Sequence, residues 1–389
     1  MTTVEVIDDL RTLASIESDW DELAVNSGSP YCSPVWMLAW WRRVADSNSQ
    51  LRVVVVRDGG HLIGIAPFFV DNGPAGLARY RLLGSGTAAP IQPLTRPGQR
   101  ARMADFFASA IARADPPPDL VTLEGAPARS EWPSGLVAGW PDRSKPWLHR
   151  DMSLVAPSLT LSATSYEDWL SSKSSNFRQQ MGRFRRRLID RGASLHLAET
   201  QEELERAIDD FARLHRSRWE SRGGSNALQP GVEEMLCDVA GDFAGSPRMR
   251  LWSLEVDGQA ISTQIFLAAG GEVAYWNGGF DEGWSSERPS LQTILAAIEQ
   301  AWGVGDGRVD FGGGGHDYKY RFADGEEILE WVTLVPAGRR SPLVRLLLAP
   351  DHLRRLVTTR MSYETKLRLK QRLRDARGFH VRRLHKRER

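Results

Sequence analysis

Apolar and polar positions alternate over Leu251–Val256, Asp257-Gly258 supplies turn residues, and Ile261–Ala269 runs back, a pattern that predicts a β-hairpin. Gly270-Gly271 leads into a third strand, Glu272–Gly279. A polar loop (Asp281–Arg288), a helix opening at Pro289 and a short strand, Arg308–Phe311, follow; the strand runs into four glycines and H-D-Y-K-Y-R-F. The same succession occurs earlier. Leu51–Val70 reads as strand, Asp58-Gly59 turn and strand, Gly98–Ala114 carries Met103, Phe106, Phe107, Ala110 and Ile111 on one helical face, and Leu120–Glu124 supplies a further strand. The two copies stand about 190 to 200 residues apart with little identity, which predicts a duplicated α/β unit.

The remaining pattern is mostly helical. Arg11–Val25, Pro34–Ala45, Tyr166–Leu170 (with Ser165 as its cap), Glu202–Arg222 and Gly231–Phe243 are expected helices. In K-S-S-N-F-R-Q-Q-M-G-R-F-R-R-R-L-I-D-R, the residues Phe177, Met181, Phe184 and Leu188 form one apolar stripe. Arg178, Arg183, Arg185, Arg186, Arg187 and Arg191 occupy the other faces. Six guanidinium groups with Asp190 among them suit a phosphate or polyanion; the alternative is a solvated face paired with carboxylates elsewhere. Leu83–Leu94, rich in Gly and small residues, reads as a surface loop in preference to one that approaches a ligand closely, and Gly125–Pro157, rich in Pro, Trp and Ser, as a surface connector.

Composition narrows the class. At 389 residues, with 41% apolar residues and 14 Trp, the chain can bury large cores. No apolar run reaches the ~20 residues of a spanning helix, and Met1–Asp9 lacks the marks of a secretory signal, so a cytoplasmic protein is expected. Two distant cysteines, Cys32 and Cys237, favour neither a disulfide framework nor a thiolate metal site, and no metal is expected. The net charge of +1 hides a division: residues 339–389 hold 17 Lys or Arg against four acidic residues, about +13, leaving about −12 on the rest. The tail pattern, a basic helix over Asp351–Arg377, suits an anionic membrane surface or the acidic body and contains nothing that reads bases specifically.

The ordered segments S-K-S-S-N-F-R-Q-Q-M-G-R-F-R-R-R-L-I-D-R-G, F-A-R-L-H-R-S-R-W-E-S-R-G, D-G-Q-A-I-S-T-Q-I-F, Y-W-N-G-G-F-D and V-D-F-G-G-G-G-H-D-Y-K-Y-R-F carry a resemblance. Together they resemble GNAT-fold acyltransferases of the cellulose-biosynthesis (CelD/BcsL, BioF2-like) type, relatives of the FemABX aminoacyltransferases. The resemblance implies an α/β chain of tandem GNAT-like domains, each a mixed, mostly antiparallel sheet flanked by helices. The boundaries implied are 1–150, 151–336 and a basic helical tail over 337–389. It further implies transfer of an acyl group, usually from acyl-CoA as co-substrate, to an amine or hydroxyl of a small-molecule, glycan or cell-envelope acceptor. No permanently bound cofactor is implied.

On that resemblance, Lys319 matches the lysine of the family's Y-K segment and is the first catalytic candidate, with Asp317 and Tyr318 beside it. Donor phosphates are expected at the helix start, on Ser285, Ser286, Arg288 and Ser290, because orphan backbone N–H groups there bind anions. Substrate contacts are expected from Arg178, Arg183, Trp276 and Arg321. His316, Asp317 and Asp281 are the candidate bases. The sequence departs from the usual Q/R-x-x-G-x-G/A donor loop, having E-R-P-S at Glu287–Ser290. Two alternatives therefore stand beside the acyl-CoA enzyme: an aminoacyl-tRNA-dependent transferase, and a GNAT-fold scaffold that has lost donor binding.

Overall fold

A computed structural model describes residues 1–220, 224–225 and 227–349. The chain divides into a unit of Met1–Ala337 and a second of Gly338–Arg389. In the second unit residues 341–349 are helical. The tail helix expected at Asp351–Arg377, and with it Arg222 and Gly223, lies outside the described residues.

The first unit begins with β1 (Thr2–Ile7), α1 (Leu10–Ala14), α2 (Glu17–Asn26) and α3 (Pro34–Arg43). A meander of β2 (Gln50–Asp58), β3 (His61–Asn72) and β4 (Ala78–Leu82) follows, then the two-residue β5 (Leu94–Thr95), α4 (Arg100–Ala112), β6 (Leu120–Pro127), α5 (Trp132–Ala138) and β7 (Trp147–Thr160). The second half runs through α6 (Tyr166–Ser172), α7 (Ser175–Asp190), β8 (Ser194–Leu197), α8 (Gln201–Glu220) and α9 (Val232–Phe243). Its meander is β9 (Met249–Val256), β10 (Gln259–Ala269) and β11 (Glu272–Phe280), closed by α10 (Pro289–Gly303), β12 (Arg308–Asp310) and β13 (Gly325–Val335).

All the strands join one mixed sheet in the order β1-β2-β3-β4-β6-β13-β7-β12-β11-β10-β9-β8, with β5 beside β3. The order is a near palindrome. β1 corresponds to β8, the first meander to the second, and the parallel pair β4–β6 to the parallel pair β11–β12. The closing strands are exchanged: β7 pairs antiparallel with β12 of the second half, and β13 with β6 of the first. β7 and β13 pair with each other along 11 residues of β13, from Gly325↔Ser158 to Val335↔Trp147. The boundary expected at residue 150 falls inside β7.

Local chemistry explains the elements that matter to the site. Asp257 and Gly258 both have positive φ (51° and 73°), which turns β9 into β10 with the twist a hairpin needs. The α7 stripe is buried at Phe177, Met181, Phe184 and Leu188, and Ser174 caps the helix by accepting from the Phe177 N–H. α10 is apolar on most sides, packs on the face of the sheet that carries Phe266, Val273 and Phe311, and starts abruptly: Arg288 is left-handed (φ 53°) and Pro289 takes the first helical position.

Two sequence expectations fail for a shared reason. The supposed connector Gly125–Pro157 contains α5, whose Trp132 is fully buried, and most of β7, a central strand. The supposed surface loop Leu83–Leu94 buries Leu83, Ser85, Ile91 and Leu94. Pro, Gly and Ser mark irregular backbone, and here irregular backbone packs inside because Trp and Leu side chains anchor it.

Candidate functional site

The parallel β11–β12 ladder is short, running from Glu272↔Arg308 to Ala274↔Asp310. Beyond that rung β11 continues along β10, while β12 gives way to the glycine loop Gly312–Gly315 and a 3-10 turn at Lys319–Arg321. A register shift between Ile265 and Phe266 of β10 makes Trp276 the extra residue of a bulge in β11. The strands therefore part, and the first turn of α10 faces the opening.

The result is a cleft of ≈ 670 Å³. Its walls are Arg218 of α8, Gln264 of β10, Tyr275, Gly278 and Phe280 of β11, the α10 start from Ser285 to Leu291 with Ile294, and the segment His316, Asp317, Tyr318 and Arg321. Three arginines face one carboxylate. Arg218 lies over the Phe280 ring, 4.6 Å from its centroid, and its buried Nε has no hydrogen-bond partner among the described residues. The Arg288 side chain has no ion-pair partner among the described residues. Arg321 donates to Gln180 Oε1 at 2.5 Å, and burial followed by the nearby Arg288 charge lowers its pKa. Uncompensated cations beside the orphan N–H groups of a helix start make an anion site.

Gln264, 2% exposed, donates from Nε2 to Ser262 Oγ at 3.3 Å, and its Oε1 has no partner. Ser262 in turn lies 3.4 Å from Ser290 Oγ and 3.3 Å from Thr293 Oγ1, tying β10 to the first turn of α10. A Cβ at position 278 would fall 2.0 Å from Gln264 Oε1, so glycine there lets the Gln264 amide keep its place. The Tyr275 and Tyr318 hydroxyls act on one another electrostatically, and burial raises the pKa of both. His316 stacks on Tyr318 with centroids 6.1 Å apart and rings inclined by 14°. Burial, then the Lys319 and Arg218 charges, push the His316 imidazole below its ordinary 6.5 and toward the neutral form that can accept a proton.

Of the residues expected at the site, the cleft brings together Asp317, Tyr318, Ser285, Arg288, Ser290 and Arg321, with His316 among the candidate bases. It leaves out the others. Lys319 is 4% exposed and turned away; its ammonium donates to the carbonyls of Gly312 at 2.9 Å and Gly313 at 3.0 Å. Burial lowers its pKa to about 8 against the opposing pull of Asp310. Lys319 therefore holds the glycine loop and does not touch the cleft. Ser286 bonds to the adjacent Glu287, and Asp281 caps its own turn through the Gly283 N–H. Arg178 closes the end of α6 by donating to the carbonyls of Ser171 and Lys173. Arg183 lies over Phe184 on the outer face of α7. Trp276 points to the opposite side of the sheet, where Nε1 donates to Thr87 O at 2.9 Å and the ring packs on Trp36 and Phe211.

Arg218, Gln264 and Tyr275 escape a reading by sequence. The Y-W-N-G-G motif flags Trp276, and the bulge together with the pleat gives the cleft to its neighbour Tyr275 instead. In the first half the matching place beside α4 is filled by α5. Trp132 packs on Phe107 (5.6 Å) beneath Arg100 (5.8 Å), and Gly135 and Gly139 let the α5 backbone close on Ala104 and Asp105.

Residues 175–320 match the family model described as an acetyltransferase (GNAT) domain. The GNAT segment thus covers the half with the open cleft. Three solved structures share the fold across most of both chains. FemX is 10% identical with a TM-score of 0.58, covering 88% of this chain and 99% of its own. The C-terminal domain of a protein assigned as lysylphosphatidylglycerol synthetase from Agrobacterium fabrum is 11% identical (TM-score 0.54; 86% and 95% covered). A conserved protein of unknown function from Bacteroides thetaiotaomicron is 10% identical (TM-score 0.53; 86% and 100%). The comparison with curated proteins finds no match. At these identities the likeness is one of fold, and the chain has a tandem GNAT-like α/β fold. Among the described residues no helix is long and apolar enough to cross a membrane, and no group of three or more His, Cys, Asp or Glu is placed to hold a metal ion.

Proposed function

We propose that the protein is an acyltransferase whose donor, an acyl-CoA, lies in the second-half cleft, and that its acceptor belongs to a polysaccharide or the cell envelope, as in the CelD/BcsL type. The observation that carries this reading is the convergence of the α10 start, Arg218, Arg288 and Arg321 on the point where β11 and β12 part. A pyrophosphate suits the helix start, Arg288 and Arg218, and an acyl arm suits the apolar wall of Leu291, Ile294, Phe280 and Tyr275. Attack of the acceptor's nitrogen or oxygen on the acyl carbonyl forms the new acyl bond. The acyl–sulfur bond breaks, and the proton released passes through neutral His316 to the leaving thiolate. In this reading the Tyr318 hydroxyl stabilises the oxyanion, while alignment in the cleft supplies much of the rate. The name of the lysylphosphatidylglycerol synthetase domain, which is that of an aminoacylated phospholipid, agrees with an envelope acceptor.

A thermal-shift screen with CoA, acetyl-CoA and longer acyl-CoAs tests the donor. A rise of several degrees with any of them, lost in Arg288→Ala, supports the reading; no shift with any contradicts it and favours the scaffold alternative. One observation favours a second donor. Arg183, Arg185, Arg186 and Arg187 of α7 are exposed and have no ion-pair partner among the described residues, which suits a polyanion such as an aminoacyl-tRNA. Binding of aminoacylated tRNA that weakens when these four are replaced, without any acyl-CoA shift, selects that donor. We place the enzyme in the cytoplasm, with peripheral contact to the inner membrane surface through its basic tail.

A further inference from the structure

Helix α7 buries the stripe Phe177, Met181, Phe184 and Leu188 and leaves its arginines to solvent. Arg178, Gly182, Arg185 and Ile189 follow one another at spacings of four, three and four, which sets them along one flank of the helix. The flank borders a slot of ≈ 140 Å³ between α6, α7 and α10, where Leu170, Met181, Leu295 and Ala296 meet Leu195 of β8, the last strand of the sheet. Arg178 closes α6 through the carbonyls of Ser171 and Lys173. Arg191, at the other end of the helix, is held by Glu287 at 3.0 Å and lies 3.5 Å from the centroid of the Trp284 ring. Both ends of the flank are therefore anchored to the folded unit.

Apolar and cationic groups are left open there side by side. Ile189 is 56% and Leu195 39% exposed. Arg185 and Arg186 are exposed and have no ion-pair partner among the described residues. The helix carries five arginines against one carboxylate, Asp190, and the slot is lined by one more, Glu299. The backbone of a nucleic acid would engage the arginines and leave Ile189 and Leu195 against polar phosphate and sugar. The boundary between lipid headgroups and acyl chains uses both kinds of group at once, with guanidinium groups on phosphate and apolar side chains below it.

We propose that this flank of α7 docks the folded unit on an anionic phospholipid surface, with Arg185 and Arg186 on the lipid phosphates and Ile189 and Leu195 entering the acyl boundary. The contact is separate from the one proposed for the basic tail and does not rest on the transferase reading. Arg321 of the cleft donates to Gln180 on the same helix, so docking through α7 also holds the cleft beside the lipid surface.

The test is co-sedimentation of the whole chain with vesicles of phosphatidylcholine containing phosphatidylglycerol, and with vesicles of phosphatidylcholine alone. The anionic vesicles should bind the chain more tightly. Arg185→Gln with Arg186→Gln should weaken that binding at least about tenfold. Arg183→Gln with Arg187→Gln removes equal charge from other faces of the helix and should weaken it less. Ile189→Ser with Leu195→Ser should weaken it several-fold and leave the binding of unacylated tRNA as in the wild type. The basic tail is present in every variant, so any binding it supplies is common to all, and thermal melts check that each variant is folded. No preference for the anionic vesicles, or equal losses in the two arginine pairs, overturns the proposal. Vesicle binding unchanged by the Ile189 and Leu195 substitutions overturns it too, and tRNA binding lost with Arg185 and Arg186 in that case assigns the arginines to nucleic acid.

Discussion

Lys319, the first catalytic candidate of the sequence, lies outside the cleft lining. Its ammonium satisfies two carbonyls of a loop made of consecutive glycines, and that loop carries His316, Asp317 and Tyr318 to the cleft. Lys319→Met removes the donor shared by both carbonyls, so unfolding free energy in urea should fall by about 1.5–3 kcal/mol. Cleft ligands should weaken with it. A purely catalytic lysine would lose turnover at unchanged stability. Glu272 carries a pH signature of known sign. Burial lifts it from its ordinary 4.5 to about 8 against the pull of Arg308. The folded state then holds a proton that the unfolded chain has released, and the contribution is present below 4.5 and lost as pH rises through about 8. The melting temperature should therefore fall between about pH 6 and 8.5, and fall less in Glu272→Gln, when thermal melts of the two are compared across that range.

At the scale of elements, most of the architecture is legible in the sequence. Both hairpin turns, the α7 stripe and the Pro289 helix start follow from short-range chemistry, whereas the six cleft residues named above come in through the family resemblance. What is not legible depends on partners distant in the chain. The sequence pattern marks no strand at β13 and a connector over most of β7, because each is defined by the other and by β6 and β12. The bulge at Trp276 arises from a register that only the β10 pairing sets. Gly278 gives an element-scale prediction. In Gly278→Ala the new methyl must drive Gln264 into the cleft, so donor affinity measured by titration should fall roughly tenfold, about 1.4 kcal/mol, with a smaller change in melting temperature. Equal losses in both would mean that the cleft wall serves only packing.

For the whole molecule, exchange of β7 and β13 joins the halves more firmly than a linker between two domains would. A chain cut at residue 150, inside β7, should give two fragments that fail to fold separately, as judged by the dispersion of their NMR spectra; a well-dispersed fragment 151–337 would refute this. The exchange also divides the labour: α5 fills the opening of the first half, and the second half keeps its own open. The account's central claim is that this second opening receives an anionic acyl donor at the start of α10, and calorimetric titration of acetyl-CoA into the wild type and Ser290→Asp tests it most directly. A carboxylate in the first turn favours the helix and repels an anion, so the variant should remain folded and bind at least about tenfold more weakly than the wild type. Equal affinity in the two proteins would contradict the claim.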